Sequence, residues 1–198
     1  MHKISIEGES GTGKTTLAKA IANDLSIEYF PENLKDLYEN LFIYKKAFDD
    51  NESEEKVLFL LDQFLKKIDE WIIDRLKKQS GLQGYILDRS IINLLALILN
   101  NAIGIKNNQF IERIVGLLQR ESDALHLTVI LPLSEYSFLP SMNEDGLNRT
   151  IVLGHKLRFQ SLVAGLCLTL VRTPVLFIPF DCKTVDQRVS LIKQKLLT

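Results

Sequence analysis

Gly8-Glu9-Ser10-Gly11-Thr12-Gly13-Lys14-Thr15 satisfies the pattern GxxxxGKT at every fixed position. Just upstream, Ile4-Ser5-Ile6 alternates apolar and polar residues, the period of a strand. Downstream, Leu17, Ala18, Ile21, Ala22 and Leu25 recur at helical spacing between Lys14 and Leu25. The motif therefore sits between a strand and a helix, where its chemistry requires it. Glycines without Cβ atoms let successive backbone N–H groups converge on phosphate oxygens, and the helix amino terminus adds partial positive charge. Within Gly8 to Thr16, Lys14 is expected to bridge β- and γ-phosphates, Thr15 to offer its hydroxyl to Mg²⁺, and Thr16 to contact an α-phosphate.

The rest of the chain bounds what such a loop can serve. Its 198 residues are 46% apolar and 25% charged, enough for one domain, 1–198, with its own core and without a disulfide or metal staple. Cys167 and Cys182 are too few for a disulfide framework and read as small core residues of a reducing compartment. His2, His126 and His155 have no metal-ligand spacing. The longest apolar stretches, 91–99 and 162–171, fall short of the roughly 18 to 20 residues of a bilayer span. The opening residues lack the apolar run of a signal peptide, so a cytoplasmic protein is expected. Net charge is -1, but residues 146–198 carry eight Lys/Arg against Asp181 and Asp186, a net +6, which leaves -7 on residues 1–145. This split favours a local anionic ligand over a nucleic-acid track.

Further along, Ser26 to Pro31 is β-prone and is stopped by Pro31, with Glu32 just beyond it. Helical patterns follow over 33–47 and from Ser53 onward, where Val57, Leu61, Phe64, Ile68, Trp71 and Ile72 form one stripe. Tyr85-Ile86-Leu87-Asp88 is an apolar strand that ends on an acid. Helices are expected over 91–103, 109–121, 151–172 and 185–197, and strands over 125–131 and 174–180. Residues 133–150 are polar and long for a connection, which marks a candidate lid. Strands alternating with helices predict an α/β fold: a three-layer α/β/α sandwich around a mostly parallel five-stranded sheet.

The second acidic strand end separates the classes that share the loop. An ATP hydrolase commonly places a glutamate after the aspartate, and here Arg89 follows Asp88. A guanine-reading Asn-Lys-x-Asp is also missing. Asp88-Arg89-Ser90 instead resembles the triplet that ends the third strand of P-loop nucleoside and nucleotide kinases. Glu32 is similar to the acid those kinases place beside the acceptor. Asp145-Gly146-x-x-Arg149 resembles the lid element of the nicotinamide riboside kinase-like and AAA-type kinase-like branch, and Asp181-Cys182-Lys183 the loop that holds adenine.

The resemblance implies ATP and Mg²⁺ as cofactors and a small-molecule acceptor: a nucleoside, a nucleotide or nicotinamide riboside. It implies Lys14, Arg89 and Arg149 or Arg158 as cations at the transferring phosphate. Asp88 and Glu32 are the candidate proton acceptors, with Asp88 also a candidate, beside Thr15, for the magnesium shell. A nucleotide-binding ATPase or regulator is the alternative; a homodimer is left open.

Overall fold

The computed structural model describes residues 1–32, 34–101, 108–133 and 153–197. Within the single-domain expectation the chain falls into two compact units, Met1–Pro31 with Leu82–Thr198, and Glu32–Gly81.

Among the described residues the first unit is built on five strands: β1 (Lys3–Glu7), β2 (Glu28–Phe30), β3 (Tyr85–Asp88), β4 (Leu127–Ile130) and β5 (Val175–Phe177). Their order is β2-β3-β1-β4-β5. Every pairing is parallel, so the sheet is more uniform than the mostly parallel one expected. Helices α1 (Lys14–Leu25), α4 (Ile91–Asn100), α5 (Asn108–Asp123), α6 (Leu153–Leu170) and α7 (Val185–Leu196) flank it, while α2 (Lys35–Asp49) and α3 (Glu54–Gln79) belong to the second unit.

Alternation along β1 divides the core. Ile4 and Ile6 are fully buried with Ile86, Leu127 and Val129 against Leu17, Ala18 and Ile21 of α1 and Ile192 of α7. Ser5 and Glu7 point the opposite way, and Glu7 meets Asn93 of α4 there. Helix α4 is buried along all of its length except Leu99, as a helix apolar on every side must be. Register then aligns the site: Ile6 lies level with Asp88 on one side and Val129 on the other.

Two boundaries differ from expectation for local reasons. The helix expected to reach residue 103 ends at Asn100, where Asn101 turns both its backbone N–H and its Nδ2 onto the Leu97 carbonyl. The strand expected over 174–180 keeps only Val175–Phe177, because Pro174 and Pro179 supply no N–H to the ladder. The candidate lid, 133–150, lies outside the described residues except for Leu133.

The second unit is a pair of packed helices, α2 (Lys35–Asp49) and α3 (Glu54–Gln79). Ser53 caps α3 by accepting from Lys56 N, with Glu54 and Glu55 in the first turn, as the sequence indicated. Phe64, Ile68 and Ile72 of the expected stripe are buried, and Arg75 stacks 4.8 Å from the Trp71 ring centroid.

Ile6 is fully buried in the strand that both neighbours share. Ile6→Ala is therefore expected to cost about 2–5 kcal/mol by chemical denaturation. A loss below about 1 kcal/mol would mean that the sheet centre is not the core.

Candidate functional site

The loop after β1 folds as its glycines allow. Gly8, Gly11 and Gly13 have φ of 135°, 80° and 90°, conformations that side chains resist. Gly8 is also tightly opposed, since a Cβ there would lie 3.0 Å from the Leu131 carbonyl oxygen. Gly13 is the N-cap of α1 and offers no side-chain acceptor, whereas Ser90 and Thr184 cap α4 and α7. The cap residue thus supplies no side-chain acceptor to the first turn of α1, whose amino end favours an anion. Lys14 is buried and its Nζ donates to the Glu9 carbonyl at 2.6 Å, crossing the loop.

Three side chains from outside the motif brace the loop or the carboxylate beside it. Gln160 of α6 accepts from Glu9 N through Oε1 and donates through Nε2 to the Leu131 carbonyl, both at 2.9 Å. Arg188 of α7 donates to the Thr12 carbonyl at 3.1 Å and to the Cys182 carbonyl at 2.9 Å. Tyr29 of β2 donates to Asp88 Oδ2 at 3.2 Å. None belongs to the sequence-predicted set. Gln160 and Arg188 reach the loop from residues 151 and 176 positions away, so no local pattern signalled them.

Asp88 is buried and also accepts from Thr15 Oγ1 at 2.5 Å. It does not cap the following helix; Ser90 does, through Ile92 N. Thr15 and Asp88 together present hard oxygens of the kind magnesium takes, with Asp88 Oδ1 buried and unbonded among the described residues. The donor set therefore fits that ion. Arg89 stands next in line with φ 71°, rare for a side-chain-bearing residue, and its N–H is tied to the Ile6 carbonyl at 3.0 Å. Its backbone is locked to the end of β1.

Behind Arg89 lies a pair of buried carboxylates. Glu7 Oε2 accepts from Asn93 Nδ2 and Ser90 N, and Glu121 Oε2 accepts from Ile91 N at 2.8 Å. Both load the amino end of α4, where the helix dipole favours negative charge. Burial nonetheless pushes the Glu7 carboxyl above its ordinary range, and the nearby Glu121 adds to this against the bonds from Ser90 and Ser5. Burial likewise raises the Cys167 thiol, in keeping with a small core residue.

Of the other predicted residues, Glu9 is buried and its Oε1 accepts from Ser10 N at 2.6 Å. Thr16 and Arg158 are exposed, while Lys156, two residues before Arg158, is fully buried. Glu32 is half-buried and begins the second unit, so the site described here consists of first-unit residues alone. Arg149 lies outside the described residues.

Residues 3–163, from the first residue of β1 into α6, match the AAA domain family. The chain belongs to that family. This AAA domain is similar in three dimensions to deoxyadenosine kinase from M. mycoides with bound dATP, at 19% identity and a TM-score of 0.65 over all of both chains. It is also similar to thymidylate kinase from Candida albicans, at 22% identity, with a TM-score of 0.54 over 99% of this chain and 91% of that one. For thymidylate kinase from Ehrlichia chaffeensis the values are 18% and 0.55, over 100% and 98%. At these identities the likeness establishes the fold. No curated protein sequence matches with significance. No helix among the described residues of the AAA domain is long and apolar enough to cross a membrane.

The raised Glu7 carboxyl makes stability depend on pH with a defined sign. The folded AAA domain holds that proton more tightly than the unfolded chain does. Its contribution is complete below the ordinary carboxylate range and is lost as pH rises through and above it. Glu7→Gln is expected to raise the thermal midpoint at neutral pH, with the advantage gone below about pH 4. Melts across that range check it; an advantage that grows toward acid would contradict the assignment.

Proposed function

We propose that the chain is an ATP- and magnesium-dependent phosphotransferase whose acceptor is a nucleoside or nucleotide. The observation that carries this reading is the 2.5 Å bond from Thr15 of the phosphate loop to Asp88, followed directly by Arg89. An ATP hydrolase commonly places a glutamate after that aspartate to polarise water, whereas a transferase needs a cation at the phosphoryl group. The fold shared with deoxyadenosine and thymidylate kinases supports the acceptor class.

Phosphoryl transfer asks mainly for alignment and for neutralised oxygens. Loop amides and the amino end of α1 hold the β- and γ-phosphates. Lys14 exchanges its bond to the Glu9 carbonyl for phosphate oxygens. Arg89, rigid at its backbone, directs its guanidinium toward the γ-phosphoryl group. Thr15 and Asp88 would hold magnesium, which would supply positive charge to offset that of the phosphates. The acceptor hydroxyl oxygen then bonds to γ-phosphorus as the bond to the ADP oxygen breaks, and the hydroxyl proton passes to a carboxylate.

A panel of nucleosides, nucleoside monophosphates and nicotinamide riboside, assayed for ADP release, tests the proposal. Acceptor-dependent ADP is expected, falling at least about 100-fold in Lys14→Ala. ATP hydrolysis indifferent to every acceptor would replace the transferase with a hydrolysing regulator.

A pair of variants assigns the carboxylates. Asp88→Asn is expected to raise the magnesium needed for half-maximal turnover. Glu32→Gln is expected to lower kcat by about 10²–10⁴ at unchanged magnesium dependence, as loss of a proton acceptor does. The reverse pattern would make Asp88 the base.

A further inference from the structure

Asp88 is held by two hydroxyls from different elements, and both reach the same oxygen. Thr15 Oγ1 of α1 donates to Oδ2 at 2.5 Å, and Tyr29 OH of β2 donates to Oδ2 at 3.2 Å. Oδ1 is buried without a hydrogen-bond partner among the described residues. A buried carboxylate oxygen with no donor is costly. The arrangement is therefore lopsided in a way that a ligand on Oδ1 resolves.

Tyr29 is placed for this by the sheet. It lies level with Ile86 in the β2–β3 register, and alternation along β3 sets Ile86 and Asp88 on the same face. Its ring packs on the core beneath α1, with Lys19 Nζ 6.0 Å from the ring centroid. The hydroxyl thus comes from a pinned ring rather than from a free side chain. With Oδ2 occupied by two donors that approach from α1 and from β2, the carboxylate cannot turn without breaking one of them.

We propose that Tyr29 is a positioning residue which, with Thr15, occupies Asp88 Oδ2 and so reserves Oδ1 for the water shell of nucleotide-bound magnesium. This rests on the nucleotide and magnesium part of the function proposed above and is independent of phosphoryl transfer itself. Sequence pattern alone reads Tyr29 as an ordinary strand aromatic. Its role follows from the 3.2 Å contact across 59 residues.

The test compares ADP binding by calorimetry in excess Mg²⁺ and in EDTA, for the wild-type protein and Tyr29→Phe, which keeps the ring. In the wild type, Mg²⁺ should tighten ADP binding. In Tyr29→Phe that magnesium-dependent gain should shrink about tenfold, as expected for one hydrogen bond to a charged group. ADP affinity in EDTA should stay within twofold and the thermal midpoint within a few degrees.

An undiminished magnesium gain in Tyr29→Phe would overturn the inference. So would an equal fall in both affinities, which would reduce Tyr29 to packing. A wild-type protein that transfers phosphate to no acceptor, yet shows the gain and its loss in the variant, would remove the transferase and leave this role of Tyr29 standing.

Discussion

A strand hydrogen-bonded along both edges has little freedom left, and β1 is such a strand. Its bonds to β3 and β4 bring Asp88 level with Ile6 and the end of β4 level with Glu7. The chain leaving β1 must then turn at once between two neighbours, so closely that the Leu131 carbonyl leaves no room for a side chain at Gly8. The phosphate loop is consequently a product of the sheet as much as of its own glycines. Arg89 is fixed by the same strand, through its N–H on the Ile6 carbonyl.

The two faces of β1 carry different physics. Ile4 and Ile6 supply apolar burial against α1 and α7, the largest non-directional contribution available to the fold. Glu7 faces the other way and, with Glu121, replaces hydrophobic contact by hydrogen bonds to the start of α4. A carboxylate whose burial works against its ionisation is an expensive way to hold a helix end. It is tolerable here because the amides it satisfies would otherwise be buried without acceptors. The result is a hydrogen-bonded junction of β1 and α5 with the start of α4, directly after Asp88 and Arg89 in the chain.

What could be read in advance divides along the same lines. The loop, the α/β order of elements and Asp88 were legible because each rests on local spacing or on the last residue of an apolar run. Tyr29, Gln160 and Arg188 were not, since each acts through a contact made only when distant elements meet. Helix α6 shows a different limit. Apolar residues surround α6 on most sides, so its sequence gives little sign of which face is inward; the fold buries Lys156 and exposes Arg158. Asp88 also shows how a bland reading is displaced. A strand-end acid often caps the next helix, but Ser90 takes that task and frees the carboxylate for Thr15 and Tyr29.

The bond from Arg188 to the Thr12 carbonyl joins the phosphate loop to α7. A ribosome makes Arg188 176 residues after the Thr12 it braces. During synthesis at roughly 5–20 residues per second, the nascent loop spends many seconds without β3, β4, Gln160 or Arg188. Nucleotide can therefore stabilise the finished molecule but has little to grip in the growing one. The loop takes its working shape only through elements made long after it.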